Sequence, residues 1–293
     1  MARQVELITL GTGAALPSLE RQTAGYLVRD WMGNVVLLDA GEGVQQRLRQ
    51  ADVSPTKVEF IAITHGHGDH INGLPGLLGT MQLSGRKSKL TIVAPKYIAD
   101  PIREMVEANK FEQQFPVEVI EVSGDEGSIV LSTQGRDSLA LSWFKVCHSI
   151  EAYGYSLTWT LGPRLESPVE PLEARRLLQE GGEGLKVIRP FKLSYTGDTS
   201  PCDSVVRGAS GANVLIHECT FEASMQAEAS QYGHSTSVGA AQDALRSGAG
   251  KLILSHVSTR YEGYEALQLE QEARSVFPNS ILAWDLARFV MNV

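Results

Sequence analysis

ITHGHGDHINGLPG, residues 63–76, places three of the seven histidines of the chain and one aspartate within six positions. These ionisable residues follow directly on VEFIAI, residues 58–63, an apolar run with the length and composition of a buried strand. Burying such groups without partners costs several kcal/mol of folding free energy. They must therefore either reach water at the end of the strand or be held by a positive charge.

The spacing within this stretch predicts a metal site rather than a loop of surface histidines. His65 and His67 are alternate residues of an extended segment, so both imidazoles can point toward one ion. The intervening glycines let the backbone turn tightly around that ion. Asp69 and His70 then face a second position, and such a set of nitrogens and a carboxylate suits Zn²⁺ or a similar metal. We therefore predict a site for two metal ions.

The remaining histidines and two aspartates share one feature, which is a position at the end of an apolar run or in a turn. They are Asp39, His148, Asp198, His217, His234 and His256. Each of them alone is more often a structural residue than a ligand. Together with the first cluster they favour one convergent site, in which Asp39 orients a metal ligand from behind.

Short runs rich in Val, Ile, Leu and Tyr predict strands. These runs are 5–11, 24–28, 34–40, 58–64, 89–95, 117–122, 128–133, 139–147, 153–160, 192–197, 213–218, 251–256 and 280–285. Helical patterns cover 43–51, 96–109, 173–180, 237–248 and 265–277. We expect Ser235 or Ser237 to cap the start of the 237–248 helix, and Gly248 to end it. The strands fall into two groups, 1–133 and 139–293, which predicts two sheets with helices outside them in a single domain over 1–293.

Composition and charge narrow the classes of function. The 293 residues are 43% hydrophobic and 20% charged, as in ordinary globular proteins. The chain begins directly with a strand pattern and has no apolar run long enough for a bilayer, so we expect a cytoplasmic protein without a membrane partner. A formal net charge of −8 argues against non-specific binding of nucleic acid through general positive charge. A polyanionic substrate would need a local basic patch or bound metal.

The three cysteines, Cys147, Cys202 and Cys219, are odd in number and form no C-x-x-C pair. This fits a reducing compartment and argues against a framework of disulfides. Cys147 precedes His148 in a strand pattern, and we expect its side chain to face the core because neighbours in a strand alternate.

The order of the motifs resembles the ribonuclease Z family of the metallo-β-lactamase superfamily. H-x-H-x-D-H at 65–70 marks the superfamily. Narrower matches run in order from residue 10 to about residue 261: LGTGAALP, LLDAGEGVQQRL, ITHGHGDHINGLPGLL, HSIEAYGY, YTGDT, HECTF, GHSTS and SHVSTRY. The resemblance implies an α/β fold, the αβ/βα four-layer sandwich with two mixed sheets flanked by helices. It also implies a metal-dependent phosphodiesterase that cuts precursor tRNA at its 3′ end.

The resemblance further implies a role for each matching residue. The ligands of one metal would be His65, His67 and His148, and those of the other would be Asp69, His70 and His256, with Asp198 as the bridge. Glu218 and His234 would form a carboxylate–imidazole pair beside the metals, from which His234 protonates the leaving 3′-oxygen. Asp69 could also take a proton from the attacking water.

Other matching residues have supporting roles under this resemblance. Ser235, Thr236 and Arg21 are predicted to contact substrate. His217 is predicted to be structural or to lie behind the metal ligands. The implied cofactors are two divalent ions, Zn²⁺ first, with Mn²⁺ or Fe²⁺ as alternatives. The implied partners are RNA in the form of precursor tRNA and a second copy of the chain in a homodimer.

Two departures from the family keep other functions open. PSLERQ at 17–22 has Leu19 and Gln22 where the family has Lys and Asn. Residues 156–194 leave no room for the long basic arm of many members, and their basic residues barely outnumber their glutamates. A promiscuous metallo-hydrolase or small-molecule phosphodiesterase on the same fold is therefore the first alternative. A non-catalytic nucleic-acid-binding protein is the second, although the complete set of metal-ligand positions argues against it.

Overall fold

The structure is a computed structural model that describes residues 3–108, 115–165 and 184–293, together with 167, 169, 170, 173, 176 and 177. The strands are β1 (Gln4–Gly11), β2 (Gly25–Asp30), β3 (Val35–Leu38), β4 (Phe60–Ala62), β5 (Leu90–Pro95), β6 (Val117–Val122), β7 (Glu126–Gln134), β8 (Asp137–Lys145), β9 (Tyr153–Thr160), β10 (Arg164–Leu165), β11 (Leu185–Lys186), β12 (Phe191–Tyr195), β13 (Val214–Glu218), β14 (Leu252–Ser255), β15 (Ser280–Leu282) and β16 (Ala287–Asn292).

The α-helices are α1 (Val44–Gln50), α2 (Gly68–Ile71), α3 (Leu74–Leu83), α4 (Lys96–Ala108), α5 (Asp203–Gly208), α6 (Gln226–Tyr232), α7 (Ser237–Ser247) and α8 (Leu267–Val276). Short 3₁₀ turns cover Pro55–Lys57, Ala223–Met225 and Gly263–Ala266. The helix expected over 173–180 falls mostly outside the described residues. Among the described helices, none is long and apolar enough to cross a membrane.

Two mixed seven-stranded sheets form the centre of the fold. The first has the order β16-β1-β2-β3-β4-β5-β6, and β3 to β6 run parallel. The second has the order β15-β14-β13-β12-β9-β8-β7, and β12 to β15 run parallel. Because parallel strands end at the same edge, the carboxyl ends of β4, β12, β13 and β14 can place side chains near one another.

Three buried clusters account for the layers. Tyr26 and Val36 of the first sheet pack with Trp159 and Leu193 of the second, which fills the space between the sheets. A second cluster joins the outer face of the first sheet to α1, α3 and α4. A third joins the outer face of the second sheet to α7 and α8. This arrangement of helix, sheet, sheet and helix confirms the predicted four-layer αβ/βα sandwich.

The division of strands between the sheets differs from the expected boundary at residue 133. β7 pairs with β8 through a hairpin and therefore belongs to the second sheet. The last strand, β16, returns to the first sheet and pairs with β1, for example Leu7 with Phe289. Alternation of partly buried and exposed residues marks β16 as a half-buried edge strand. No strand was expected over 287–292, because ARFVMN also contains a charged residue and helix-forming residues.

The start of α7 corrects one sequence expectation. Its N-cap is Thr236, whose Oγ1 accepts a hydrogen bond from the Gly239 N–H at 3.1 Å. Ser237 is already helical, and its hydroxyl donates to Glu272. Gly248 ends the helix in the left-handed conformation, with φ of 67°, as predicted.

Candidate metal centre

The site lies where strands of both sheets end. β4 leads into Thr64 and the segment containing His65, His67, Asp69 and His70, the last two of which lie in α2. Other strands end just before the remaining groups of the site: β3 before Asp39, β12 shortly before Asp198, β14 before His256, and β8 shortly before His148. Each sheet therefore contributes side chains to one cluster at the shared edge.

Three histidines form the first group. The Nδ1 atom of His67 lies 3.1 Å from Nε2 of His65 and 3.1 Å from Nε2 of His148. The Oδ2 atom of Asp198 is 3.7 Å from Nε2 of His65 and 3.9 Å from Nε2 of His148. These four residues together can hold one metal ion.

Hydrogen bonds at the far side of two of these rings determine where their protons lie. His148 donates from Nδ1 to the carbonyl oxygen of Gly233 at 2.8 Å. The Thr64 hydroxyl donates its single proton to Asp39. Thr64 Oγ1 can therefore only accept from His65, whose Nδ1–H donates to it at 2.9 Å. Both rings thus present an unprotonated Nε2 to the centre of the group. Burial holds the pKa of His65 well below its ordinary value and also lowers the pKa of His67 and His148.

The second group lies on the other side of Asp198. The Oδ1 atom of Asp198 is 3.2 Å from Nε2 of His70 and 3.2 Å from Nε2 of His256. The Oδ2 atom of Asp69 is 3.2 Å from Nε2 of His256 and 3.5 Å from Nε2 of His70. Because its two oxygens face different groups, Asp198 has the geometry of a bridging carboxylate.

The surroundings of the Asp198 carboxylate show that the side chains of the two groups suit a bound cation. Its carboxylate is 2% exposed, and Oδ1 is buried without a hydrogen-bond partner. An unpartnered buried carboxylate oxygen is costly unless a positive charge compensates it. Burial opposes the charge on Asp198, but His256 and His70 outweigh it and hold the pKa well below its ordinary value. Burial also opposes charge on His70, yet Asp198, Asp39 and Asp69 raise its pKa well above the usual range. The field that holds a proton at His70 would equally hold a metal cation.

A second layer of contacts holds the side chains of these two groups in place. Asp39 accepts from His70 Nδ1 at 2.7 Å, from the Thr64 N–H at 2.7 Å and from the Tyr195 hydroxyl at 2.8 Å. This places Asp39 behind His70, where the sequence predicts an orienting role. His256 donates from Nδ1 to Thr220 Oγ1 at 3.0 Å. Asp39 and His256 both adopt positive φ, 58° and 57°, which is uncommon for residues other than glycine and typical of functional sites.

The loop before Asp198 requires glycine. Gly197 has φ of 61°, and a Cβ atom there would lie 2.8 Å from the Thr64 side chain. Any larger residue would push the Asp198 loop away from the histidine segment.

Glu218 and His234 form an ion pair beside the second group. The Nδ1–H of His234 donates to Glu218 Oε1 at 2.8 Å, and the imidazole stacks on His256 with ring centroids 5.5 Å apart. Glu218 also accepts from the Thr199 N–H and from the Thr220 hydroxyl. Burial opposes the charge on His234, but Glu218 outweighs it and raises the pKa to about 9. His234 is therefore positively charged at neutral pH. With His256, the pair also forms a third group that could hold a metal ion.

Named relatives cover nearly the whole chain. The ribonuclease Z of Aeropyrum pernix is 45% identical over 301 residues, an alignment that covers 96% of this chain and 97% of the relative. The ribonuclease Z of Geobacillus kaustophilus is 35% identical, with 97% and 98% covered. The chain belongs to the ribonuclease Z family. This membership confirms the resemblance read from the motifs.

Solved structures agree with ribonuclease Z membership. The short form of human tRNase Z superposes with a TM-score of 0.72 at 27% identity, covering 97% of this chain and 98% of that one. The metallo-β-lactamase-fold protein YhfI of Bacillus subtilis superposes with a TM-score of 0.73 at 21% identity and 98% and 100% coverage, which supports the fold. A family model described as Anti-Pycsar protein Apyc1 also matches this ribonuclease Z chain, over residues 5–236.

Four predicted site residues of this ribonuclease Z chain lie outside the metal cluster. Ser235 is buried and donates to the Thr199 carbonyl at 2.6 Å, and Thr236 caps α7. Arg21 is 4% exposed and packs over Trp284 with its guanidinium 4.2 Å from the ring centroid. His217 is buried and donates from Nδ1 to the Glu218 carbonyl at 2.8 Å. Contact of Ser235, Thr236 and Arg21 with substrate stays a prediction.

The sequence interpretation missed several residues that support the ribonuclease Z site. Thr64 and Thr220 each join a histidine to a carboxylate, and Tyr195 donates to Asp39. Tyr97 accepts a hydrogen bond at 2.8 Å from the N–H of Gly66, which lies between His65 and His67. The threonines stand inside ITHGH and HECTF, which could have indicated them. Tyr97 lies far along the chain in α4 and carries no sequence signal.

Proposed function

We propose that this member of the ribonuclease Z family is a metal-dependent endoribonuclease that cuts precursor tRNA at its 3′ end. The observation that carries the proposal is the pair of ligand groups joined by Asp198, with a charged His234 beside them. Relatives named ribonuclease Z over nearly the full length support the same activity.

His65, His67 and His148 would hold one ion, and Asp69, His70 and His256 the other, with Asp198 between them. When bound, two divalent ions supply a hydroxide nucleophile at neutral pH and neutralise charge on the phosphate oxygens. The protein holds the ligands in place through Asp39, Thr64, Thr220 and the Gly233 carbonyl. Asp69 Oδ2, which also accepts from the Ala15 N–H at 2.8 Å, would accept a proton from the attacking water.

His234 would protonate the leaving 3′-oxygen of the ribose. Its Nδ1–H is engaged by Glu218, so the transferable proton is the one on Nε2. A ribose oxygen is a poor leaving group and requires such a proton. Glu218 keeps the imidazole charged and oriented, which is the role of a carboxylate behind an acid–base histidine.

We also propose the finer properties that the sequence predicts. Zn²⁺ is the expected metal because the groups are rich in histidine nitrogens, with Mn²⁺ or Fe²⁺ as alternatives. The chain is expected to fold as one domain, to form a homodimer and to act in the cytoplasm. Elemental analysis, light scattering and cell fractionation test these points.

A small-molecule phosphodiesterase is the second candidate. The observation that favours it is Leu19, where the family carries lysine. Its side chain is completely exposed and offers no charge to an RNA phosphate. The test compares kcat/KM for a precursor tRNA with a 3′ trailer against a cyclic mononucleotide and a nitrophenyl phosphodiester, using Asp198→Ala as the inactive control. Preference for the tRNA, with one cut that leaves a 3′-hydroxyl, supports the proposal. Turnover of the small esters alone would replace it with the second candidate.

A further inference from the structure

The exposed aromatic side chains of the protein are tyrosines that lie around the metal centre. All eight tyrosines belong to the described residues, and five of them are buried. The other three are Tyr97, Tyr232 and Tyr264, which are 44%, 57% and 90% exposed. No tryptophan or phenylalanine of the described residues is exposed to this degree. Such a concentration of exposed rings marks a contact surface, because apolar side chains that merely lie on a surface are scattered singly.

Tyr97 lies beside the first group of histidines. Its hydroxyl oxygen accepts from the N–H of Gly66 at 2.8 Å, and Gly66 stands between His65 and His67. A Cβ atom at Gly66 would lie 3.4 Å from Cε2 of Tyr97. The tyrosine ring therefore packs on the backbone of the metal-binding segment, and its exposed part borders the site.

Tyr232 lies beside the histidine that we assign to proton donation. Its ring stacks on Phe221, with centroids 6.4 Å apart and an angle of 6° between the two planes. The ring of Phe221 is in turn 6.1 Å from that of His234. The next residue, Gly233, accepts from His148 Nδ1 at 2.8 Å, which holds the backbone beside Tyr232. Tyr232 is thus supported by one aromatic ring and has room to stack on another.

Tyr264 lies next to a loop that reaches the second group. The N–H of Gly263 donates to Glu20 Oε2 at 2.8 Å. The same loop contacts Asp69 through the N–H of Ala15, also at 2.8 Å. Tyr264 therefore stands at the outer rim of the site.

The charges around Tyr264 are unfavourable for binding RNA through its phosphates. Glu20, Glu262 and Glu265 are all exposed there. The stretch 258–265 contributes a single basic residue, Arg260. Single-stranded nucleic acid can also be held by stacking of its bases on aromatic side chains, and this contact requires no positive charge on the protein.

We propose that Tyr97, Tyr232 and Tyr264 bind the unpaired nucleotides next to the cut by stacking on their bases, an inference that rests on the proposed function. The nucleotide that keeps the 3′-oxygen lies nearest Tyr232, because His234 protonates that oxygen. Stacking tolerates every base, since each has a π-face. The enzyme should therefore accept 3′ trailers of different sequence.

The test measures kcat/KM of the zinc-loaded full chain on a precursor tRNA with a 3′ trailer. Tyr232→Ala should lose about 5–150-fold, which corresponds to the loss of one stacked base. Tyr232→Phe should keep most of the activity, because its ring still stacks. Both variants should retain the wild-type metal content. Leu245→Ala is the matched control, because it removes a similarly exposed apolar side chain near the end of α7, and it should leave kcat/KM unchanged.

A substrate whose last retained nucleotide lacks its base separates stacking from other effects. The wild type should cleave this abasic substrate about as slowly as Tyr232→Ala cleaves the intact one. The variant should lose little more on the abasic substrate, since the partner of the ring is already missing. Losses that simply multiply would overturn stacking at Tyr232.

Tyr97 and Tyr264 are tested with the same pair of substitutions. At each position the alanine variant should lose activity on the precursor tRNA, and the phenylalanine variant should retain it. A loss in Tyr97→Phe as large as that in Tyr97→Ala would assign the effect to the hydroxyl and overturn stacking at this position.

The wild type distinguishes failure of the stacking surface from failure of the proposed function. A wild-type protein that does not cut the precursor tRNA overturns both. A wild-type protein that cuts it, together with an unchanged kcat/KM for Tyr232→Ala, overturns the stacking surface alone.

Discussion

Replacing Glu218 by glutamine isolates the contribution of one carboxylate to proton donation. Glu218 is 1% exposed and holds the charged His234, whose pKa it raises to about 9. Glutamine keeps the size of the side chain and can still accept from His234 Nδ1 through its Oε1 atom. The negative charge that supports the imidazolium is removed.

The size of the effect follows from the fraction of His234 that carries its acidic proton. Without the carboxylate, the pKa should fall at least to the ordinary histidine value of about 6.5, because burial, which lowers it, remains. At pH 7.5 the protonated fraction then drops from about 0.97 to about 0.09 or less, which is at least roughly a tenfold loss of the acid form. Because the protonated form is the active one, wild-type activity is lost as pH rises through about 9. Activity of the variant should be lost as pH rises through about 6.5 or lower.

The assay is the pH dependence of kcat/KM on an RNA substrate and on a nitrophenyl phosphodiester. For Glu218→Gln acting on RNA, the alkaline limb of the pH profile should shift to lower pH. Near wild-type activity should return in mildly acidic buffer. The nitrophenyl profile should change little, since that leaving group hardly needs a proton. Glu228→Gln, at an exposed position in α6, is the matched control and should leave both profiles unchanged.

Thermal melting and metal analysis accompany this experiment. In the wild type, the N–H and the hydroxyl of Thr220 both donate to Glu218. In the variant, the glutamine N–H₂ group faces these two donors and cannot accept from them. An unsatisfied buried donor costs about 1–3 kcal/mol, so the melting temperature should fall slightly without loss of the fold. If the alkaline limb on RNA does not move while metal content is intact, Glu218 does not set the protonation of His234 and the reasoning fails.

Three further predictions concern single residues. His234→Ala should keep both metals and lose about 10²–10⁴-fold in activity on RNA, with a smaller loss on the nitrophenyl ester; loss of a metal would make His234 a ligand instead. Asp198→Ala should abolish activity and metal binding while circular dichroism stays native-like, and wild-type turnover would remove Asp198 from the site. Asp39→Asn should weaken metal affinity by about 10–100-fold, measured by chelator competition, because it disturbs the orientation of His70; an unchanged affinity would contradict its orienting role.

The clustering of the candidate metal-binding side chains could be predicted because their positions in the sequence obey a local rule. A motif of histidines and aspartate follows β4, and Asp198 and His256 come shortly after the ends of β12 and β14. Parallel strands bring such ends to one edge whatever the intervening sequence. The layers could also be predicted from local patterns. Strand and helix patterns recur along the chain, which indicates sheets covered by helices.

Contacts between distant segments could not be predicted. The hydrogen bond from Tyr195 to Asp39 depends on the packing of the sheets, which no local pattern encodes. Cys147, expected to face the core, is exposed, because β8 ends at Lys145 and strand alternation no longer decides the direction of its side chain. α3 was missed for a different reason. Its buried residues have helical spacing: Leu74, Leu77, Leu78 and Met81. The helix also contains Pro75 and two glycines, which are poor helix formers, so the sequence did not predict it.

We propose above all that two ions bind in adjacent groups that share Asp198. Anomalous diffraction at the zinc edge, from crystals of the zinc-loaded protein, tests it most directly. We predict two peaks about 3.5–4 Å apart, one among His65, His67 and His148 and the other among Asp69, His70 and His256. A single peak, or a peak coordinated by Glu218 and His234, would contradict the two-metal site and the assignment of His234 as a proton donor.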